Sequence, residues 1–247
     1  MEKLNSQVKE LKEQVERELQ MDMLFSARER IENFLAQHQK QTLAEEERKE
    51  IIEIAERILK IFIAKKWAGF LQELSKLSEE EKNLKIAEKC IKEAYIDWAR
   101  FVAILLPEEL SNKLLIKIWA ICVTNAYLQQ EKFWLEKAEK TAIFLTKNFE
   151  DPTVEIISKY QQIPKLIENA KMNIKIGNFD EAFKELNEVE GIRIKTIEEV
   201  CSYLDKEELL SLLEKFIQTK GLSDSVSVKI LEIVAKRYKK DKLKIRN

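Results

Sequence analysis

The sequence predicts an all-α protein: a long antiparallel helical bundle merging into short helical hairpins, solenoid-like in plan. Three observations carry this. Only four glycines and three prolines punctuate 247 residues, too few for the tight turns that strands need. Apolar residues recur at steps of three and four over much of the chain. No segment shows convincing strand alternation, although Ile192–Lys195 alternates briefly.

Residues 2–39 read as one long helix. Leu4, Val8, Leu11 and Val15 are spaced 4, 3, 4 and form a single stripe between charges, a pattern too brief to define a coiled coil. Thr42 and Glu45 are spaced as a capping box, opening a second helix that runs to about Leu77. Its apolar residues, among them Ile51, Ile54, Ile58, Phe62, Trp67 and Phe70, cover more than half the circumference, which marks a central helix. Ser78 and Glu81 form another box, followed by Leu84, Ala87, Ile91, Ala94, Trp98, Phe101 and Leu105 at alternating steps of three and four. Pro107 suits the first turn of the next helix, with a break near Gln129–Lys132. Asp151-Pro152 is the clearest boundary, an N-cap residue followed by a helix-starting proline. It divides a long-helix bundle, 1–150, from a hairpin region, 151–247. In the second part Pro164 breaks or restarts the pattern. Gly177-Asn178 makes a tight turn, with Asn178 and Glu181 as a box. Gly191 ends a helix, Thr196/Glu199 and Asp205/Glu208 open two more, and Gly221 closes the second. The last helix runs from about Ser225 to Lys240.

Hydrophobic residues are 45% of the chain and charged residues 35%. The charge is too high for a membrane protein and the apolar content too high for disorder. The longest uncharged run, Ile118–Gln130, is too short to span a bilayer and contains Asn125. Cys90, Cys122 and Cys201 are far apart and form no metal spacing, so they read as buried thiols in a reducing compartment. The first residues carry no apolar signal core. Together these point to a cytoplasmic protein with no membrane partner; the oligomeric state is left open.

The chemistry expected of an enzyme is missing. The one histidine, His38, sits in the last turn of a helix, where it favours the helix dipole or meets solvent. A Ser/His/Asp or Cys/His site requires a histidine. No Glu-x-x-His, HExxH or phosphate-cradling glycine motif occurs. The four tryptophans share no spacing and read as core anchors. The sequence therefore predicts no catalytic residues, no metal ligands and no cofactor, with a carboxylate-only metal hydrolase on the helices as the one enzymatic alternative.

Two features point to partners. Residues 179–214 hold eleven acids against four bases, Glu181, Glu185 and Glu188 among the acids. From Lys236 onward there are seven bases (Lys236, Arg237, Lys239, Lys240, Lys242, Lys244 and Arg246) and one acid, Asp241. Either the tail lies against the chain's own acidic hairpins, or it touches nucleic acid, or the acidic face holds a basic protein. The N-terminal stripe of Leu4, Leu11 and Val15 either docks on this chain or pairs with another.

Residues 166–190 carry the turn Gly177-Asn178-Phe179-Asp180-Glu181-Ala182, with Ala170 at a small-residue position and Leu186 at an apolar one. This stretch resembles one tetratricopeptide hairpin. Asn169 and Asn173 depart from the leucine and aromatic of that family, its terminal proline is missing, and no 34-residue period runs through the chain. The resemblance implies protein or peptide binding on a helical surface. The function expected is a non-catalytic helical adaptor or regulator that binds a protein, with an acidic surface able to mask a basic nucleic-acid-binding partner. The alternative is a nucleic-acid-binding subunit of a larger complex that uses the basic tail.

Overall fold

The computed structural model describes residues 2–38, 44–129, 131–145, 149–221 and 223–244. It contains twelve α-helices and no strand among the described residues, the all-α class that the glycine and proline count predicts. None of these helices is long and apolar enough to cross a membrane. The chain divides into two compact units, 1–114 and 115–247. The division falls inside a helix, and the expected boundary at 150/151 lies within the second unit.

In the first unit, α1 (Glu2–Gln20), α2 (Leu24–His38) and α3 (Glu45–Lys66) pack together. The single helix expected over 2–39 is broken at Met21–Met23, where Asp22 takes a left-handed conformation. The chain reverses there, and α1 lies antiparallel to α2. Lys12–Glu50 at 3.4 Å, Arg57–Glu16 and Lys65–Asp22 then pair α1 with α3 in parallel register. Val8, Leu11 and Val15 are buried, so the N-terminal stripe docks on its own chain, and Leu11 and Val15 are core residues rather than a partner surface. The side chain of Leu4 lies outside the described residues. Thr42 does too; the helix it was expected to cap begins at Glu45, and the N–H of Ala44 donates to the Glu47 carboxylate at 3.0 Å.

That helix stops at Lys66 rather than Leu77. Trp67 turns out of it, its indole N–H donating to Glu93 at 2.7 Å, and a short α4 (Phe70–Leu74) follows. The next segment is also two helices, α5 (Glu79–Lys92) and α6 (Ile96–Ile104), packed on each other with a left-handed Ala94 between them. The Ser78/Glu81 box is present as expected. Trp98 stacks on Phe62 with ring centres 3.9 Å apart. Beside them the buried Arg100 guanidinium holds the Glu32 carboxylate through two bonds, at 3.2 and 3.0 Å.

Helix α7 (Glu108–Gln129) runs from the first unit into the second. The second unit continues with α8 (Phe133–Ala142), α9 (Glu150–Lys175), α10 (Phe179–Tyr203), α11 (Lys206–Lys220) and α12 (Ser225–Lys244). The two longest helices, α9 with 26 residues and α10 with 25, lie here and not before residue 150. Helix α9 starts at Glu150, one residue ahead of the expected cap Asp151, and Pro152 falls in its first turn, where no N–H is needed.

Pro164 does not break α9, and Gly191 does not end α10. Thr196 opens no helix either. It is buried in the middle of α10 and donates its hydroxyl to the Tyr127 oxygen at 3.1 Å, while the Tyr127 phenol donates to the Ile156 carbonyl at 3.3 Å. Trp119, Trp98 and Trp134 are buried anchors, and Trp67 is half-buried. All three cysteines are buried, and burial pushes the thiols of Cys90 and Cys201 up to about 12.

Candidate functional site

Helices α9 and α10 form an antiparallel hairpin closed by Gly177, whose φ of 78° only glycine adopts without strain. Asn178 precedes α10 without a side-chain capping bond, contrary to the box expected with Glu181. Ala170 and Ala182 are buried, small residues that let the two helices approach closely.

One face of α10 defines the site. Phe179, Phe183, Leu186, Glu190, Arg193, Ile197, Cys201 and Leu204 follow at steps of 4, 3, 4, 3, 4, 4 and 3, a single stripe along the helix. Its C-terminal half is covered: Ile197, Cys201 and Leu204 are buried. Helix α12 runs alongside, parallel to α10. The Ser225 hydroxyl donates to Glu190, Lys229 pairs with Glu198 at 2.8 Å, and Arg237 donates to the carbonyls of Leu204 and of Cys201, the latter at 2.7 Å. Because α12 begins at Ser225, beside Glu190, the cover is only partial at Glu190 and Arg193. Ahead of that point Phe179 is 67% exposed, Phe183 68% and Leu186 44%.

Helix α9 supplies the other half of the face. Tyr160, Ile163, Ile167 and Lys171 line a cavity of about 310 Å³ together with Pro164, Glu168, Tyr127 and Arg193. Ile174, three residues beyond Lys171, continues that stripe toward the hairpin tip and is 48% exposed. The face thus joins exposed apolar residues of α9 and α10 near the tip with the cavity at the Tyr127 end. Pro164 has no N–H to donate to the Tyr160 carbonyl four residues earlier, so it loosens the α9 backbone at the cavity wall.

Two bases, Lys171 and Arg193, one acid, Glu168, and two tyrosines line the cavity. Tyr127 and Tyr160 meet edge to face with ring centres 5.3 Å apart. Burial pushes the Tyr127 phenol up to about 12 and raises Tyr160, so both are neutral at physiological pH. The Nε of Arg193 is buried with no hydrogen-bond partner, and its Nη1 stands 3.8 Å from the Glu190 carboxylate. Lys171, at the lip, lies 3.8 Å from Glu168.

The residues singled out by sequence are distributed differently. Glu181, Glu185 and Glu188 form their own stripe at steps of 4 and 3, half a turn of α10 away from Phe179 and Phe183. Glu181 is held by Lys184 at 3.2 Å. Lys236 is exposed on α12, whereas Arg237 is occupied with the carbonyls at the end of α10. The side chains of Lys239, Lys240, Lys242 and Lys244, and all of Arg246, lie outside the described residues. His38 ends α2, its ring stacked on Phe34 and its Nδ1 2.8 Å from the Phe34 carbonyl. Sequence reasoning missed Phe179, Phe183, Ile174 and Arg193. The available signal was the polar pair Glu190 and Arg193 interrupting an otherwise apolar stripe.

No family model, curated protein or solved structure matches this chain.

Proposed function

We propose that this chain is a non-catalytic helical adaptor that binds a protein partner through the open face of the α9–α10 hairpin. The observation that carries the reading is the uncovered half of the α10 stripe. Large apolar side chains left contiguous on a surface mark an interaction site, and here the same stripe is core from Ile197 to Leu204, alongside α12. Burying Phe179, Phe183, Leu186 and Ile174 contributes roughly 1–2 kcal/mol each, enough to hold a partner once association entropy is offset. The sole histidine, engaged in the last turn of α2, is in keeping with a role outside catalysis.

Affinity purification from the native cell, run in parallel on four forms of the chain, tests this. These are wild type, Phe183→Ser, the triple variant Glu181→Gln/Glu185→Gln/Glu188→Gln, and a chain truncated before Lys236. The reading expects a protein recovered in stoichiometric amount on wild type and on the triple variant and lost with Phe183→Ser, whose helicity stays unchanged by circular dichroism. Recovery undiminished by Phe183→Ser overturns it. A partner lost only with the triple variant moves the site to the acidic stripe. Nucleic acid that co-purifies with wild type and is lost with the tail would favour the basic tail instead.

A further inference from the structure

We propose that the segment occupying this face is an amphipathic helix of a partner protein, seated in line with α12, whose apolar side chains cover Phe179, Phe183 and Leu186 and whose acidic side chain enters the Tyr127–Tyr160 cavity to pair with Arg193. This rests on the reading of the α9–α10 face as the docking surface and adds the chemistry of what docks there.

Continuity with an interface already present in the chain argues for a helix. From Ile197 to Leu204 the α10 stripe is covered by α12, which brings Val226, Ile230 and Val234 to its buried side at steps of four. The uncovered half has the same periodicity and large apolar side chains at Phe179, Phe183 and Leu186, so the element that fits it is a second helix of the α12 kind, its last turn beside Ser225. From Phe179 to Arg193 is fourteen residues, or about 21 Å at helical rise. The occupant is therefore about four turns long, with anchors at steps of three and four.

A guanidinium N–H left without an acceptor at the closed end argues for the carboxylate. The buried Nε of Arg193 has no partner, and the neighbouring Glu190 is shared with the Ser225 hydroxyl. A buried guanidinium N–H without an acceptor is costly, and a planar carboxylate is the acceptor that matches its fork. Lys171 at the lip, 3.8 Å from Glu168, adds a second base, and the Tyr160 phenol lines the same cavity. Leu186 and Arg193 are seven residues apart, which places the acid about two turns past the last apolar anchor.

The test uses the full chain and a displayed library of helical peptides randomised on one face. Peptides are selected on wild type, with counter-selection on Phe183→Ser. Selected peptides are expected to carry apolar residues at steps of three and four, followed about two turns later by Asp or Glu. Replacing that acid by its amide should weaken binding about tenfold on wild type, the effect of losing one charged hydrogen-bonded contact, and leave binding to Arg193→Gln unchanged. Selected peptides without the acid, or with an acid whose removal matters equally on Arg193→Gln, overturn the carboxylate inference while leaving the face as the docking surface. No enrichment over Phe183→Ser overturns the docking surface itself. A concentration-dependent dimer in sedimentation that Phe183→Ser dissociates gives the face to a second copy of the chain, which also overturns the inference.

Discussion

Asp22, Ala94 and Gly177 each sit in the left-handed region, and each closes a helix in the same way. At all three the next residue's N–H reaches the carbonyl five residues back: Met23 to Glu18 at 2.8 Å, Tyr95 to Cys90 at 2.7 Å and Asn178 to Asn173 at 2.8 Å. This is the Schellman ending, which satisfies carbonyls the helix leaves free. Only the glycine was legible in the sequence, because only glycine adopts this conformation without a Cβ penalty. Aspartate tolerates it; alanine announces nothing. The apolar run from Leu84 to Leu105 keeps its spacing across the break, since both helices must bury a face, and so it reads as one helix. Ala94 itself is exposed. Ala94→Gly should therefore raise stability by about 0.5–1 kcal/mol, the left-handed penalty relieved less the added freedom of the unfolded chain. Denaturant unfolding measures this directly. A loss of stability would contradict the left-handed turn.

At the scale of the element, α9 and α10 are longer than their sequences suggest, because tertiary contacts overrule the local punctuation. Pro164 costs α9 a backbone bond, yet α9 packs along α10 on both sides of it. Thr196 resembles an N-cap, but its hydroxyl belongs to a buried chain of hydrogen bonds through Tyr127, and nothing local in the sequence reveals a partner 69 residues away. The boxes at Ser78 and Asp205 were legible because both members lie within one turn and face solvent. Gly191 provides the test of continuity. A Cβ there would meet nothing within 4 Å, so Gly191→Ala should stabilise the chain by about 1 kcal/mol, the usual gain in a helix interior. If α10 ended at Gly191 in the manner of Gly177, the same substitution would destabilise it.

For the molecule as a whole, fold class was legible from composition and periodicity, because an all-helical chain needs few glycines and buries its apolar residues at steps of three and four. Function was legible only as a direction. Phe179, Phe183 and Leu186 are chemically indistinguishable from the core residues Ile197 and Leu204 on the same stripe, and what separates them is where α12 begins. The sequence reading turned instead to charge: the acidic stripe, which the fold places on another side of α10, and the basic tail, whose Arg237 finishes α10 in place of reaching outward. The central claim is that the uncovered apolar stripe, and not the acidic one, holds the partner. Titration of the purified partner against wild type, Phe183→Ser and Glu181→Gln/Glu185→Gln/Glu188→Gln tests it most directly. The account predicts that Phe183→Ser weakens Kd by about thirtyfold or more, as loss of a central aromatic anchor does, while the triple variant, half a turn away from the apolar stripe, shifts it by less than about threefold. A Kd unchanged by Phe183→Ser, with a large loss in the triple variant, would contradict it.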